Sequence, residues 1–445
     1  MAAPRNPADP PAPSPQPGQP GQPYPAGPAG PPARSVAVVG LGYIGLPTAV
    51  CLATGGLDVT GVDISPGIVD LVNRGEAPFA EPDLSVAVSG AVAMGRLTAQ
   101  REMPPASAFI IAVPTPFADG HRPDLTAVRA AARAIAPVLR GGEVIVLEST
   151  VPPGTTRAIS ELIGSLRPDL RLPHAGDDAP DVHLAHCPER VLPGRIMIEI
   201  ATNDRVIGGL TPACAARAAG LYRTFCHGEL LITDAASAEM AKLAENAYRD
   251  VNIAYANELS LICQRLGLDV WEIRRLANHH PRVDILRPGP GVGGHCIAVD
   301  PWFIVNAAPE QATLITAARR VNDQMPAHTA DQIVATSRRF RDPRVACLGL
   351  SFKADVEDLR GSPAVEIVAR VAAGLPDTKV LAVEPHAAAL PDELSALGNV
   401  LLADTHDALR DADIVALLTD HSCFRAIRRT ALAGKVVYDT RGLWA

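Results

Sequence analysis

No uncharged apolar run in this chain is long enough to span a bilayer, so no membrane helix is expected. The N-terminus lacks the basic-then-apolar pattern of a secretory signal, so export is not expected and a cytoplasmic location is. No CxxC pair and no dense framework occurs among the eight cysteines, whose scatter fits reduced thiols rather than a disulfide scaffold. A basic cluster is missing as well. With 40 Lys+Arg against 48 Asp+Glu the net charge is −8, which argues against nucleic acid as a partner and leaves anionic ligands to local groups.

What is present is a chain of 445 residues, 47% hydrophobic and 20% charged, the balance of a soluble protein of two or three domains. Residues 1–34 are dominated by proline, glycine, alanine and glutamine. They cannot bury enough apolar surface to offset their ordering entropy, and a disordered tail is expected. From Ser35, SVAVVGLGYIGLPTAVCLATGGLDVTGVDIS reads strand, glycine turn, helix, strand. Apolar runs at AFIIAVPTP and GEVIVLEST, with helical stretches between, extend the alternation to a doubly wound parallel sheet. From about Leu210 the pattern turns helical, with a long candidate helix over 235–266. After Pro343 the strands RVACLGL, KVLAVEP, DIVALLTD and KVVYDTRG return. The expected architecture is α/β: a Rossmann-type dinucleotide domain over 35–209, a helical domain over 210–325, and a smaller Rossmann-like domain over 326–445. The long helix suggests a dimer.

Gly40, Gly42 and Gly45 form a GxGxxG turn between strand and helix. Such glycines permit the tight turn, close approach to a pyrophosphate and helix-on-strand packing, and the helix N-terminus meets the phosphates. Asp63 ends the next strand, where a carboxylate accepts from ribose hydroxyls and repels a 2′-phosphate, so NAD is expected over NADP. Thr115 and Thr150 lie just past later strands, where ligands bind in open sheets and where turn residues are also common.

Lys242, Asn246 and Arg249 fall on one side of the 235–266 helix. A polar stripe is often just a solvated face, but an amine and an amide at this spacing could hold and deprotonate a hydroxyl. Cys296 lies in GVGGHCIAVDPW, residues 291–302. As a metal ligand it lacks partners: His295 is adjacent, and His279 and His280 have no matching cysteine pair, so no metal is expected. A buried inert thiol and a nucleophile both remain open. The preceding glycines favour close approach by a ligand or another backbone, and Asp300 could assist proton transfer.

These residues resemble the UDP-sugar dehydrogenases of the UDP-glucose/GDP-mannose dehydrogenase superfamily. GLGYIGLP, VDI, AVPTP, EST, CPERVLPG, AEMAKLAENAYRDVNIAYANEL, GGHCIAVDPWF and FKADVEDLRGSP occur in the family's order from Ser35 to the C-terminus. Val299 stands where UDP-glucose enzymes usually carry lysine. GVGGHCIAVDPWFIV, NHHPRVDILRPGPG and CPERVLPGR resemble the branch that oxidises UDP-N-acetyl-D-mannosamine for surface polysaccharide, with UDP-N-acetylglucosamine and UDP-glucose as alternatives. The resemblance implies NAD-dependent four-electron oxidation at C6, with Cys296 as nucleophile and Lys242 as general acid/base. Asn246 and Asp300 would support them, and Glu189 would serve thioester hydrolysis. It implies NAD contacts from Tyr43, Ile44, Asp63, Thr115, Thr150, Thr156 and Arg360. Substrate contacts are implied from Arg190, Val191, Lys242, Asn246, Arg249, His280, Arg282, Gly293 and Lys353, with Arg282 reaching across a subunit interface. A second glutamate of UDP-glucose enzymes is replaced by Pro193, so its role does not transfer. A two-electron 3-hydroxyacid dehydrogenase and a non-catalytic sugar-nucleotide binder are the rival readings, separable by NADH yield.

Overall fold

The computed structural model describes residues 34–176, 179–294 and 296–444. Apart from Arg34, the tail expected to be disordered lies outside the described residues. The first sheet is built from β1 (Ser35–Val39), β2 (Asp58–Val62), β3 (Leu97–Gln100) and β4 (Ala108–Ile111). A two-residue hairpin follows, β5 (Phe117–Ala118) and β6 (Arg122–Pro123), and then β7 (Val144–Leu147), β8 (His183–His186), β9 (Arg205–Gly209) and β10 (Leu230–Asp234). The order β10-β9-β8-β7-β4-β1-β2-β3 places six parallel strands from β8 to β3, with β9 and β10 reversed at one edge.

The central strands are apolar in unbroken runs because both of their faces are covered. In β1, Val36 and Val38 join one core with Leu46 and Val50 of the Gly45–Thr54 helix. Ala37 and Val39 join the opposite core with Phe109, Ile111 and Ile135. The second sheet repeats the plan with β11 (Val345–Leu348), β12 (Val380–Val383), β13 (Val400–Leu402), β14 (Ile414–Leu417) and β15 (Val436–Asp439), in the order β13-β12-β11-β14-β15. Here Val345 and Cys347 face one core and Ala346 and Leu348 the other. The short β13 has only three residues, two of them exposed, too brief a run to stand out in the sequence reading.

The helical stretch expected from Leu210 starts instead at Ala235, because Pro212–Tyr222 and β10 belong to the first sheet. The long helix runs Ala235–Leu266, begun by Asp234, whose side chain accepts from the Ser237 N–H, and ended by Gly267 at φ 69°. It packs along Thr313–Ser337. Between them, buried Arg319 donates to Asp250 at 2.5 Å, and Asn322 bonds both Asp250 and Asn257. Asn257 also accepts from the Gly289 N–H at 2.8 Å, which ties the segment leading to Cys296 onto the long helix. Among the described residues, no helix is long and apolar enough to cross a membrane.

Candidate active site

The glycine turn follows β1 at the carboxyl edge of the first sheet, where β1 and β4 diverge. Gly40 has φ 93°, and a Cβ there would stand 2.6 Å from the Ala112 carbonyl oxygen. A Cβ on Gly45 would lie 1.8 Å from the Gly40 carbonyl oxygen, yet one on Gly42 would meet nothing within 4 Å. Two glycines therefore serve the fold, while the third keeps a space open at the helix N-terminus, as a pyrophosphate requires. Asp63 closes the turn: its Oδ2 accepts from the Leu41 N–H and its Oδ1 from the Ser65 N–H, both at 2.9 Å. Ile44 precedes the helix, and Tyr43 stacks on Phe79 with centroids 4.2 Å apart. This cradle and its acid fit NAD. Gly42→Val is expected to raise the KM for NAD at least tenfold with little change in Tm. Gly45→Ala should lower Tm, because its methyl collides with backbone; thermal melts beside NAD titrations check the contrast.

The second group forms where Ala235–Leu266 crosses the short helix Asp300–Ala307. Asn246 Nδ2 donates to Asp300 Oδ2 at 2.5 Å. Asp300 is buried, and that burial pushes its pKa up to about 6 against the opposing pull of the Lys242 ammonium and the Asn246 amide. Cys296 is open to solvent along one side but walled by protein on the others. Burial raises its thiol pKa, the Asp300 charge raises it further, and Lys242 lowers it. Its carbonyl accepts from the N–H groups of Val299 and Asp300, which turns the chain directly into the helix. Lys242, Asn246, Asp300 and Cys296 thus form one electrostatically linked cluster.

Asp300 takes up its proton as pH falls through about 6 and is ionised above that value. Because its folded pKa is raised, ionisation works against folding as pH rises from the ordinary carboxylate range to 6. Activity that needs the anion should fall below pH 6 with a one-proton slope. Asp300→Asn should lose that acid limb and melt at a higher temperature than the parent at pH 8. A pH–rate profile with an unchanged limb in the variant would remove Asp300 from the chemistry.

The glycines before Cys296 serve packing against the C-terminal domain. A Cβ on Gly293 would stand 2.4 Å from Pro363 Cδ and 2.6 Å from the Gly361 carbonyl oxygen; one on Gly294, at φ 83°, would meet the Phe352 ring at 2.9 Å. The loop from Phe352 to Pro363 therefore packs directly on the segment that leads into Cys296. Lys353 stands in it half-buried, its pKa lowered mainly by that burial, within the fields of Arg249, Glu199 and Glu81. Glu81 accepts from the N–H groups of Gly194 and Ile196, so its field ties Lys353 to the end of the CPERVLPG loop. Arg360 forms a two-pronged pair with Asp358, and both act electrostatically on Tyr43, which links this loop to the glycine turn.

The other expected residues make their hydrogen bonds and ion pairs to partners outside the Cys296 cluster. Arg190 is paired with Glu245 at 2.8 Å, and Val191 packs against the first core. Glu189 is buried beside Arg205. Thr115 donates to the Thr150 carbonyl at 2.8 Å, joining two strand ends at the sheet's edge. Thr156 is buried, and its hydroxyl and N–H both donate to Glu239 of the long helix. His280 and Arg282 are exposed, with the Arg282 N–H donating to His280 Nδ1.

The sequence reading missed a clamp on the Asp300 helix: His121 of the β5–β6 hairpin stacks on Trp302 at 4.3 Å, and its carbonyl accepts from Asn306. The hairpin follows Thr115 directly, and its aromatic and histidine residues were the available signal. Asp355, His386 and His421 also converge in the C-terminal domain. Here His421 Nδ1 accepts from the Asp355 N–H at 2.9 Å, while Nε2 lies 3.1 Å from Glu384, so the group braces the loop that carries Lys353.

Family models match the chain in three consecutive parts: the UDP-glucose/GDP-mannose dehydrogenase family NAD binding domain at 34–226, central domain at 236–324 and UDP binding domain at 346–445. An NDP-N-acetyl-D-galactosaminuronic acid dehydrogenase from Ralstonia nicotianae is 54% identical over 412 residues, covering 93% of this chain and 96% of that one. A UDP-N-acetyl-D-mannosamine dehydrogenase from Escherichia coli is 50% identical over 418 residues, covering 92% and 99%. The solved structure of a UDP-D-ManNAc dehydrogenase from Pyrococcus horikoshii superposes with a TM-score of 0.81 at 35% identity, covering 92% and 96%. With its dinucleotide cradle, its cysteine cluster and all three domain matches in order, the chain belongs to the UDP-glucose/GDP-mannose dehydrogenase family and takes NAD as its cofactor.

Proposed function

We propose that this enzyme oxidises UDP-N-acetyl-D-mannosamine at C6 to UDP-N-acetyl-D-mannosaminuronate, in the cytoplasm, for surface polysaccharide. The observation that carries the chemistry is the Lys242–Asn246–Asp300–Cys296 cluster, where the long helix meets the Asp300 helix. The substrate rests on the half-identical E. coli relative and on the stretches around Cys296. A second reading is UDP-N-acetyl-D-galactosamine, favoured by the 54% identity to the Ralstonia enzyme.

NAD, held by the Gly40–Gly45 turn and Asp63, supplies hydride acceptance at both oxidations. Lys242 takes the C6 hydroxyl proton while Asn246 orients the oxygen, and C6 becomes an aldehyde. The Cys296 thiolate then adds to the aldehyde carbon, and Lys242 returns its proton to the oxygen to give a thiohemiacetal. That centre again carries a hydroxyl, which a bare aldehyde lacks, so loss of its proton and a hydride leaves a thioester. Water adds to the thioester carbonyl, Glu189 receives its proton, the C–S bond breaks and the thiolate returns. While it holds the substrate proton, Lys242 is a cation that stabilises the oxyanions and the thiolate.

The proposed assembly is a homodimer. Tyr248, Tyr255 and Ile262 are 73%, 55% and 49% exposed at seven-residue intervals along one face of the long helix, an apolar stripe suited to a second copy. An assay across UDP-sugars, with products identified by mass spectrometry, tests the substrate. The expected result is uronate from UDP-N-acetyl-D-mannosamine at the highest kcat/KM, and turnover of UDP-glucose alone would overturn the assignment.

A further inference from the structure

Behind Glu189 lies a buried ionic group that the chemistry above does not use. Arg205 of β9 is 4% exposed, and its guanidinium stands between two carboxylates: Nη1 is 3.8 Å from Glu148 and Nη2 is 3.6 Å from Glu189. Tyr222 and Phe225 face it at 5.0 and 5.4 Å, and Nη2 donates to the Ile200 carbonyl at 3.0 Å. Both terminal nitrogens of Arg205 thus face an acid, and its plane lies against the two rings.

The two acids are held very differently. Glu148 follows β7 and accepts from the Tyr222 hydroxyl at 2.7 Å and from Thr48 at 3.1 Å. Thr48 belongs to the helix that opens at the glycine turn. Glu189 has one hydrogen bond, from the Arg190 N–H, and its enclosed Oε2 has no hydrogen-bond partner. A base for hydrolysis must be anionic and aimed. Apart from that single N–H, the Arg205 charge is what restrains this carboxylate.

One guanidinium cannot neutralise two buried carboxylates, so one of them must keep its proton or bear an unmatched charge. Burial pushes Glu148 up to about 7, against the pull of Arg205. It thus carries its proton readily near neutral pH, and the Arg205 charge is then committed to Glu189.

We propose that Arg205 and Glu148 are positioning residues for thioester hydrolysis: Arg205 aims the Glu189 carboxylate, and Glu148, bonded through Thr48 to the cofactor-turn helix, holds Arg205 in register. The inference rests on Glu189 being the hydrolytic base. In both variants described below the two oxidations should proceed and the release of acid should slow.

Rapid mixing of enzyme with NAD and UDP-N-acetyl-D-mannosamine, followed by NADH absorbance and intact-mass analysis, separates the steps. Arg205→Lys keeps the charge and loses the planar fork. It should show an undiminished NADH burst, an acyl adduct on Cys296, and a steady rate slowed roughly 10- to 100-fold, up to the low end of a general base's full contribution. Glu148→Ala should do the same with a smaller slowing, and it decides the matter if Arg205→Lys does not fold. Glu189→Gln is the reference. If it accumulates no adduct, the reading of Glu189 fails and the inference with it. If it does accumulate adduct while the folded positioning variants release acid at the parent rate, or lose the burst itself, the inference alone is overturned.

Discussion

Cys296→Ser is expected to abolish uronate formation, lowering it on the order of 10⁴-fold or more, while NAD binding and Tm stay near those of the parent. The side chain is open to solvent on one side, and serine is close to it in size, so the fold has no reason to respond. The chemistry does. An aldehyde carbon bears no hydroxyl whose oxygen can drive out a second hydride, and a serine hydroxyl, far less acidic than a thiol, does not supply the covalent centre. The NADH yield should fall from two per sugar to one at most, with the C6 aldehyde trapped by a carbonyl reagent in the same assay. Uronate produced by the serine variant at a rate near the parent's would end the nucleophile assignment.

Lys242→Met should lower kcat roughly 10²- to 10⁴-fold, the scale of a general acid/base. Its charge also holds the pKa of Cys296 and of Asp300 below where burial alone would set them. Removing it raises both. Two signatures follow besides the lost turnover: alkylation of Cys296 by iodoacetamide at fixed alkaline pH slows, and the acid limb of residual activity moves above pH 6. A variant that alkylates as fast as the parent, with kcat within about threefold, would place the ammonium outside the site.

Much of this was legible in the sequence because the signals were local. The glycine turn, Asp63 and the alternating strands follow from backbone sterics and from periodicity, each within a short window. The Ala235–Leu266 helix was equally visible, having a capping aspartate, a terminal glycine and no internal breaker. Lys242, Asn246 and Arg249 share a face by spacing alone. Long-range pairings were hidden. Thr156 stands among the NAD contacts that the resemblance implies, but Glu239, 83 positions away, takes both its donors. Arg190 stands among the substrate contacts that the resemblance implies, and Glu245 pairs with it. The glycines around Cys296 suggested ligand approach, whereas Gly293 and Gly294 are needed because Phe352, Gly361 and Pro363 press on them. Glu148 was overlooked beside Thr150 in the same strand-end motif, since only the folded sheet sets it against Arg205.

The boundary of the first sheet shows the same limit. A helical pattern after Leu210 suggested a new domain, yet β10 pairs with β9 and carries the sheet to Asp234. Strand pairing between segments separated by a helix leaves no local mark in composition. The long helix then begins at the sheet's edge and packs on β9, and Lys242 and Asn246 follow within its first four turns.

The most direct measurement is the ratio of NADH formed to UDP-N-acetyl-D-mannosamine consumed by the native enzyme at completion, with the sugar product weighed by mass spectrometry. Two NADH per sugar and a uronate are expected from a cysteine-borne second oxidation. One NADH per sugar, with an aldehyde or ketone as the final product, would contradict it.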